Sequence, residues 1–133
     1  MKRSFKRRFD EIPRVFEFTL EFYEANEIAE AHRLPIDFSI EEIFTNMVKY
    51  HPLAQGEIDV ELDRRDGAAH VVVTDYDVDR FDVTATATPD LSAPLSEREV
   101  GGLGLHLTRQ MMSTFDYEYE DRTSRVVMTK KLE

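Results

Sequence analysis

The sequence predicts an α+β fold, a two-layer sandwich in which helices cover one face of a mixed, mostly antiparallel sheet. Two observations predict it. Apolar residues recur first at helical spacing and then, from Glu57, at every second position, as strands require. The patterns follow one another as a strand, two helices, a hairpin, a long aperiodic stretch, a helix and a second hairpin, which indicates helices gathered in one layer.

Length and composition predict one domain over residues 1–133. A chain of 133 residues can bury one sizeable core but not two. Its hydrophobic fraction of 41% is that of a folded protein rather than a disordered one. With no cysteine, the chain has no disulfide, thiol nucleophile or zinc-finger site.

The charge distribution limits the classes of partner that the chain can bind. The net charge is −10, but the first nine residues carry five basic groups and no acid, so the remainder carries −15. A field of this sign repels nucleic acid and anionic membranes, which leaves a protein partner or a magnesium-bound small anion. No apolar stretch approaches the roughly 20 residues that cross a bilayer. We therefore expect a cytoplasmic protein.

The first half of the chain predicts one strand and two helices. Residues 4–9 form the strand, and a helix from Pro13 ends near Asn26. The second helix begins at Ser39, which forms a capping box with Glu42 after Pro35, and ends near His51.

The second half predicts two hairpins around a loop and a helix. Strands around Asp66-Gly67 form the first hairpin, because this dipeptide favours a tight turn. Residues 82–101 lack periodicity and form a long loop of the kind that often serves as a lid. A helix at 102–115 precedes strands at 116–120 and 125–132.

Glu42 and Asn46 are the first candidate site residues. They are four residues apart and share the polar face of the second helix. Glu42 could simply close the capping box and Asn46 could be solvated. The pair could instead hold magnesium and orient a water or hydroxyl, as magnesium-phosphate sites require.

Asp75 is the second candidate, at the exit of a valine-rich strand. Its carboxylate can accept a hydrogen bond from an exocyclic amine. The acids that follow could form a solvated turn or a calcium site, although alternation in a loop is weak support for calcium.

The third candidate is the run Gly101-Gly102-Leu103-Gly104-Leu105 at the start of the last helix. Glycines let a phosphate approach the backbone, and a helix N-terminus offers unpaired N–H groups. The lysine and serine of a P-loop are absent, and no strand precedes the run as in a Rossmann turn.

Together these motifs resemble the histidine-kinase-like ATPase superfamily with its Bergerat fold, and within it the anti-sigma factor serine/threonine kinases. The resemblance implies that Glu42 is the general base, that Asn46 binds Mg and that Asp75 contacts the adenine amine of ATP. It further implies that residues 101–105 bind phosphate and that Thr129 lies near the adenine. Partners would be a sigma factor and an anti-sigma factor antagonist.

One position departs from the family pattern. Asp77 stands where the first glycine box has glycine. Aspartate tolerates the left-handed conformation, but its charge near a polyphosphate would weaken ATP binding unless it is offset. The alternative function is therefore a non-catalytic module that sequesters a partner.

Further expectations follow from the resemblance and from the aromatic first helix. The loop at 83–100 would close as a lid, and Arg98 would reach the terminal phosphate. A homodimer is possible, because the first helix has more apolar surface than one face needs. The residues concerned are Phe16, Phe18, Phe22 and Tyr23.

Overall fold

The protein, studied here as a computed structural model, is described over residues 1–80 and 102–133. Within these ranges it has five strands and three helices, and a 3₁₀ turn at Phe9–Glu11 precedes the first helix. In chain order they are β1 Lys2–Phe5, α1 Ile12–Ala25, α2 Glu30–Tyr50, β2 Ile58–Arg65, β3 Ala68–Asp75, α3 Gly102–Met111, β4 Thr114–Glu120 and β5 Thr123–Lys131.

The strands form one sheet in the order β1-β2-β3-β5-β4. Each pairing between these described strands is antiparallel, so the sheet lacks the parallel pairs that a mixed sheet would add. The α+β architecture predicted from the sequence is confirmed.

Two tight turns fix the register of the hairpins. Asp66 and Gly67 both have positive φ, 52° and 72°, and so do Asp121 and Arg122, at 50° and 59°. Two residues with positive φ are what a type I′ turn requires, and this turn matches the twist of the strands. The second hairpin begins at Thr114 and turns after Glu120, so its first strand starts two residues earlier than predicted and its second strand starts two residues closer to the turn.

The core lies between the sheet and the helices. Alternate side chains of β2, β3 and β5 point into it, and α1 and α2 supply the opposite layer. Its largest fully buried members are Phe5, Phe18, Phe22, Tyr23, Phe44, Ile28, Ile36, Ile40, Ile43, Ile58, Leu62 and Met128.

The aromatic residues of α1 are used inside this core. Phe18, Phe22 and Tyr23 are each only 1% exposed, and the Tyr23 hydroxyl donates a hydrogen bond to Asp37 at 2.6 Å. The expected apolar surplus on α1 therefore does not exist at these positions. Phe16, the fourth aromatic residue of α1, is only partly buried, and a homodimer stays a prediction.

The second helix begins earlier than predicted. It starts at Glu30, runs through Pro35 and ends with His51 as its C-cap. Ser39 lies inside the helix, and its hydroxyl donates to the Pro35 carbonyl at 2.7 Å instead of capping a terminus. The predicted capping box was wrong because an N-cap must stand outside the helix, and Ser39 does not.

The remaining boundaries shift by a few residues. β1 spans Lys2–Phe5 and so begins two residues before the predicted strand at 4–9 and ends four residues before its predicted end, and α3 ends at Met111 rather than Phe115. No helix in the part of the chain described is long and apolar enough to cross a membrane.

The docking of α2 can be tested with one core substitution. Phe44 is fully buried and meets Phe5 edge to face, with ring centroids 6.4 Å apart. Phe44→Ala should lower the free energy of unfolding by about 3–5 kcal/mol, because it removes buried surface and leaves a cavity. Chemical denaturation measures this. Leu34→Ala on the same helix is the control, since Leu34 is 74% exposed. Equal losses for the two variants would contradict this packing.

Candidate functional site

Glu42 and Asn46 form a hydrogen-bonded pair on α2. The Asn46 Nδ2 donates to the Glu42 Oε1 at 3.3 Å across one helical turn. Asn46 is 4% exposed and Glu42 is half-buried. Burial excludes a solvated role for Asn46. Glu42 lies inside α2 rather than at its start, which excludes a capping role.

The surroundings of Glu42 favour its protonated form. Burial raises the pKa of the Glu42 carboxyl above its usual value, and the nearby Glu41 charge acts in the same direction. The Asn46 hydrogen bond and the Lys49 charge oppose the shift without cancelling it. Glu42 is thus a better proton acceptor, when ionised, than an ordinary surface glutamate.

The glycine run lies directly against this carboxylate. A Cβ built on Gly104 would overlap the Glu42 carboxyl carbon and both of its oxygens. Only glycine fits between α3 and Glu42 in this arrangement. The structure therefore unites two motifs that are about 60 residues apart in the sequence, and it anchors α3 through Leu105, which is 4% exposed.

Asp75 is the last residue of β3, as predicted, but its carboxylate is already paired with an arginine. The Arg7 Nη1 donates to the Asp75 Oδ2 at 3.2 Å, and the Arg7 Nη2 donates to the Asp75 Oδ1. The Arg7 side chain is 6% exposed and that of Asp75 is 1% exposed. Sequence reasoning missed Arg7, because nothing in a basic N-terminal run indicates which side chain turns inward.

Ser124, not Thr129, stands beside Asp75. Ser124 faces Asp75 across the β3–β5 pairing and is 5% exposed. Thr129 pairs with His70, an odd number of residues away, so it lies on the opposite face of the sheet. Its hydroxyl is 2.7 Å from that of Thr114 there. The structure does not bring Thr129 to the site, and the alternation of Val126 and Met128 would have indicated Ser124.

Asp77 adopts the conformation that its place demands. Its φ is 54°, in the left-handed region that the family's glycine would occupy. Its carboxylate is exposed and accepts from the Arg122 Nε at 2.9 Å, while Asp79 accepts from the Arg122 Nη1 at the same distance. The two carboxylates raise the pKa of the Arg122 guanidinium. The charge of Asp77 is therefore partly offset by a cation from the second hairpin turn.

A cleft opens beside these residues. It has a volume of about 500 Å³, which is within the range of ligand sites. Its walls are residues 50–55, which follow Asn46 on the chain, and the segment 77–79 with Arg122. The cleft thus lies between the end of α2 and the exit of β3.

The donor set at Asn46 suits magnesium held jointly with phosphates. An ionised carboxylate only accepts hydrogen bonds, so Asn46 turns its NH₂ to Glu42 and keeps its carbonyl oxygen for a cation. Magnesium commonly takes one or two protein oxygens, with phosphates and waters completing its shell. No three acidic or histidine side chains converge within residues 1–80 and 102–133. In this part of the chain the acids after Asp75 do not form a calcium cage.

Several predicted features lie outside the described residues. These are Gly101, Arg98 and the lid at 83–100. Gly102 begins α3, with Leu103 as the next helical residue.

Comparison with known proteins agrees with this architecture. A family model described as a histidine kinase-like ATPase domain matches residues 5–130. Among solved structures, the chain is similar to the histidine kinase AdeS of Acinetobacter baumannii, with a TM-score of 0.56 and 13% identity over 100% of this chain and 68% of that chain. At this identity the likeness concerns the fold. A search of curated proteins finds no match.

The contact between α3 and Glu42 predicts a compensating pair of substitutions. Gly104→Ala should displace the Glu42 carboxylate, because the new methyl group would overlap it. Glu42→Asp shortens the side chain by one methylene and should relieve part of this overlap. A double-mutant cycle on unfolding free energy should therefore show favourable coupling of about 0.5–3 kcal/mol. Strict additivity would mean that the two residues do not touch.

Proposed function

The chain belongs to the histidine kinase-like ATPase domain family, and from this premise we propose that it binds ATP with magnesium and phosphorylates a serine or threonine of a protein. The observation that carries the proposal is the Glu42–Asn46 pair beneath the first turn of α3. It combines a proton acceptor, a cation ligand and a glycine-rich helix start at one place. Phosphoryl transfer to a hydroxyl needs these three elements.

Glu42 acts as the general base in this proposal. It takes the proton from the attacking hydroxyl, and Asn46 orients it through the 3.3 Å hydrogen bond. Half-burial raises the pKa of Glu42, which brings its basicity closer to that of an effective base at neutral pH. A negative charge at this position also repels the phosphates unless a cation lies between them.

Asn46 and the start of α3 hold the other reactant. Magnesium would neutralise charge on the transferring phosphate. Asn46 supplies its carbonyl oxygen to that ion, and the backbone N–H groups of Gly102 and Gly104 donate to phosphate oxygens at the positive end of the helix. Burial of Asn46 and its bond to Glu42 fix the direction of the amide, so the site is organised before the nucleotide arrives.

The partner assignment follows the sequence resemblance. We propose that the phosphorylated protein is an anti-sigma factor antagonist and that the domain also sequesters a sigma factor in the cytoplasm. The negative charge of the chain is consistent with protein partners rather than nucleic acid.

A second candidate is a non-catalytic module that sequesters a partner and binds ATP weakly or not at all. Two observations favour it. Asp75, which would accept the adenine amine, is ion-paired with Arg7, and Asp77 keeps a carboxylate where the family has glycine. Titration calorimetry with Mg-ATP separates the two candidates, since only the kinase should bind at cellular ATP concentrations.

The kinase proposal predicts a specific loss of phosphoryl transfer. Glu42→Gln should reduce the rate by about 10²–10⁴-fold, the usual contribution of a general base, while leaving the protein folded. Labelled ATP and candidate antagonist proteins provide the assay. Glu41→Gln is the matched control, because Glu41 is adjacent, acidic and exposed. Undiminished transfer by the Glu42 variant would refute the assignment.

Replacement of Asn46, the proposed cation ligand, should weaken the binding of Mg-ATP. Asn46→Ala should weaken Mg-ATP binding and leave the weaker binding of ATP in EDTA nearly unchanged, because the amide oxygen contributes to binding only when the ion is present. Calorimetry with and without magnesium measures both. An equal loss under the two conditions would assign Asn46 a purely structural role.

The raised pKa of Glu42 predicts the acid limb of the activity profile. Transfer requires ionised Glu42, so the rate falls as the pH drops through the pKa of this group. Because burial raises that pKa, the limb should lie above the ordinary glutamate value of 4.5. The dependence of kcat/KM on pH measures it, with the fold checked by circular dichroism at each pH. A rate that stays constant down to 4.5 would contradict this role.

A further inference from the structure

We propose that Arg7 is an affinity-determining residue of the nucleotide site, because its guanidinium is bound to the Asp75 carboxylate that would accept the adenine amine. The inference rests on the proposed function. It concerns a residue of the N-terminal segment that follows β1, and it predicts that ATP must displace a guanidinium before its adenine reaches Asp75.

Arg7 joins three parts of the fold at the base end of the site. Besides its two bonds to Asp75, its Nη1 donates to the Met47 carbonyl of α2 at 3.1 Å. Met47 directly follows Asn46, so the carbonyl that accepts this bond belongs to the residue after the proposed cation ligand. Arg7 therefore bridges the chain after β1, the middle of α2 and the end of β3.

The ion pair with Arg7 shields Asp75 from other hydrogen-bond donors. Only 1% of the Asp75 side chain is exposed, and the side chain that covers it is itself 6% exposed. A guanidinium bound at two points is a stronger donor than the neutral amine of a base. An adenine amine can therefore reach Asp75 only when Arg7 moves, and the cost of this movement lowers the apparent affinity for ATP.

The Arg7 guanidinium nevertheless leaves one of its hydrogen-bond donors unused. Its Nε is buried and has no hydrogen-bond partner among residues 1–80 and 102–133. A buried donor without a partner raises the free energy of the paired position. The free-energy difference between the paired and withdrawn positions of the Arg7 side chain is therefore smaller. With Arg7 withdrawn, Asp75 would offer an acceptor and Ser124 a hydroxyl on adjacent strands. An amine next to a ring nitrogen, as on adenine, matches this combination.

Calorimetry with Mg-ATP on the full chain tests the proposal. Arg7→Met keeps a long side chain but removes the donors, so its dissociation constant should be at least about tenfold lower than that of the wild type. Arg8→Met is the matched control, because Arg8 is adjacent and exposed, and it should bind within about twofold of the wild type. Unchanged or weaker binding by folded Arg7→Met overturns the proposal.

Arg7→Met leaves a buried carboxylate without its cation, so a second variant guards against failure to fold. Arg7→Lys retains the charge but gives up the two-point contact, and it should bind Mg-ATP several-fold more tightly than the wild type. Equal affinity in Arg7→Lys overturns the proposal. In the wild type, the arginine Nε–H resonance that disappears in Arg7→Lys should shift on saturation with Mg-ATP, and a resonance that stays in place counts against displacement.

These outcomes separate the inference from the proposed function. Equal binding of ATP by the wild type and by both Arg7 variants would keep the nucleotide site and reject the role of Arg7. Tighter binding by the variants without phosphoryl transfer would support Arg7 and reject the kinase. Absence of binding in the wild type and in every folded variant would reject both.

Discussion

The packing of α2 against the sheet is the constraint on which the rest of the structure depends. One side of this helix buries isoleucines and Phe44 against β2, β3 and β5, so the rotation of the helix about its axis is fixed. The Glu42 side chain then lies against Gly104 of α3 and accepts a hydrogen bond from Asn46. The same rotation turns the Met47 carbonyl toward Arg7. The geometry of both ends of the candidate site is therefore a consequence of apolar packing that no site residue supplies.

Polar groups inside this core impose specificity rather than simple stability. Asp75, Ser124, Asn46 and Arg7 are all nearly inaccessible to water, and each would cost free energy without a partner. The Arg7–Asp75 pair recovers much of that cost but adds little to stability over an apolar pair of similar size. Its effect is to fix which segment covers the end of β3. The short stretch after β1 leaves the sheet at the point where Arg7 turns inward.

The sequence predicted what depends on periodicity and turn chemistry. The Asp66-Gly67 hairpin follows from a turn dipeptide between two alternating segments, the end of α2 near His51 from the proline at position 52, and the pairing of Glu42 with Asn46 from a spacing of four residues. The failures arose where a local pattern competed with tertiary packing. Ser39 is a residue type that often caps helices but lies inside α2, and three of the four aromatic rings of α1 are buried in the core instead of lying on a surface. Arg7 and Gly104 depend on partners far along the chain, which no local pattern contains.

The two ends of the site differ in their readiness for a ligand. At the proposed phosphate end, Glu42 already contacts Asn46 and lies against the glycine at position 104, so binding there would require little rearrangement. At the base end, a buried ion pair must open first. Asp77 is a smaller obstacle than this ion pair, because its backbone is already left-handed and Arg122 offsets part of its exposed charge. A nucleotide would therefore engage its phosphates before its base, and the free energy gained at α3 would offset the opening of the Arg7–Asp75 pair.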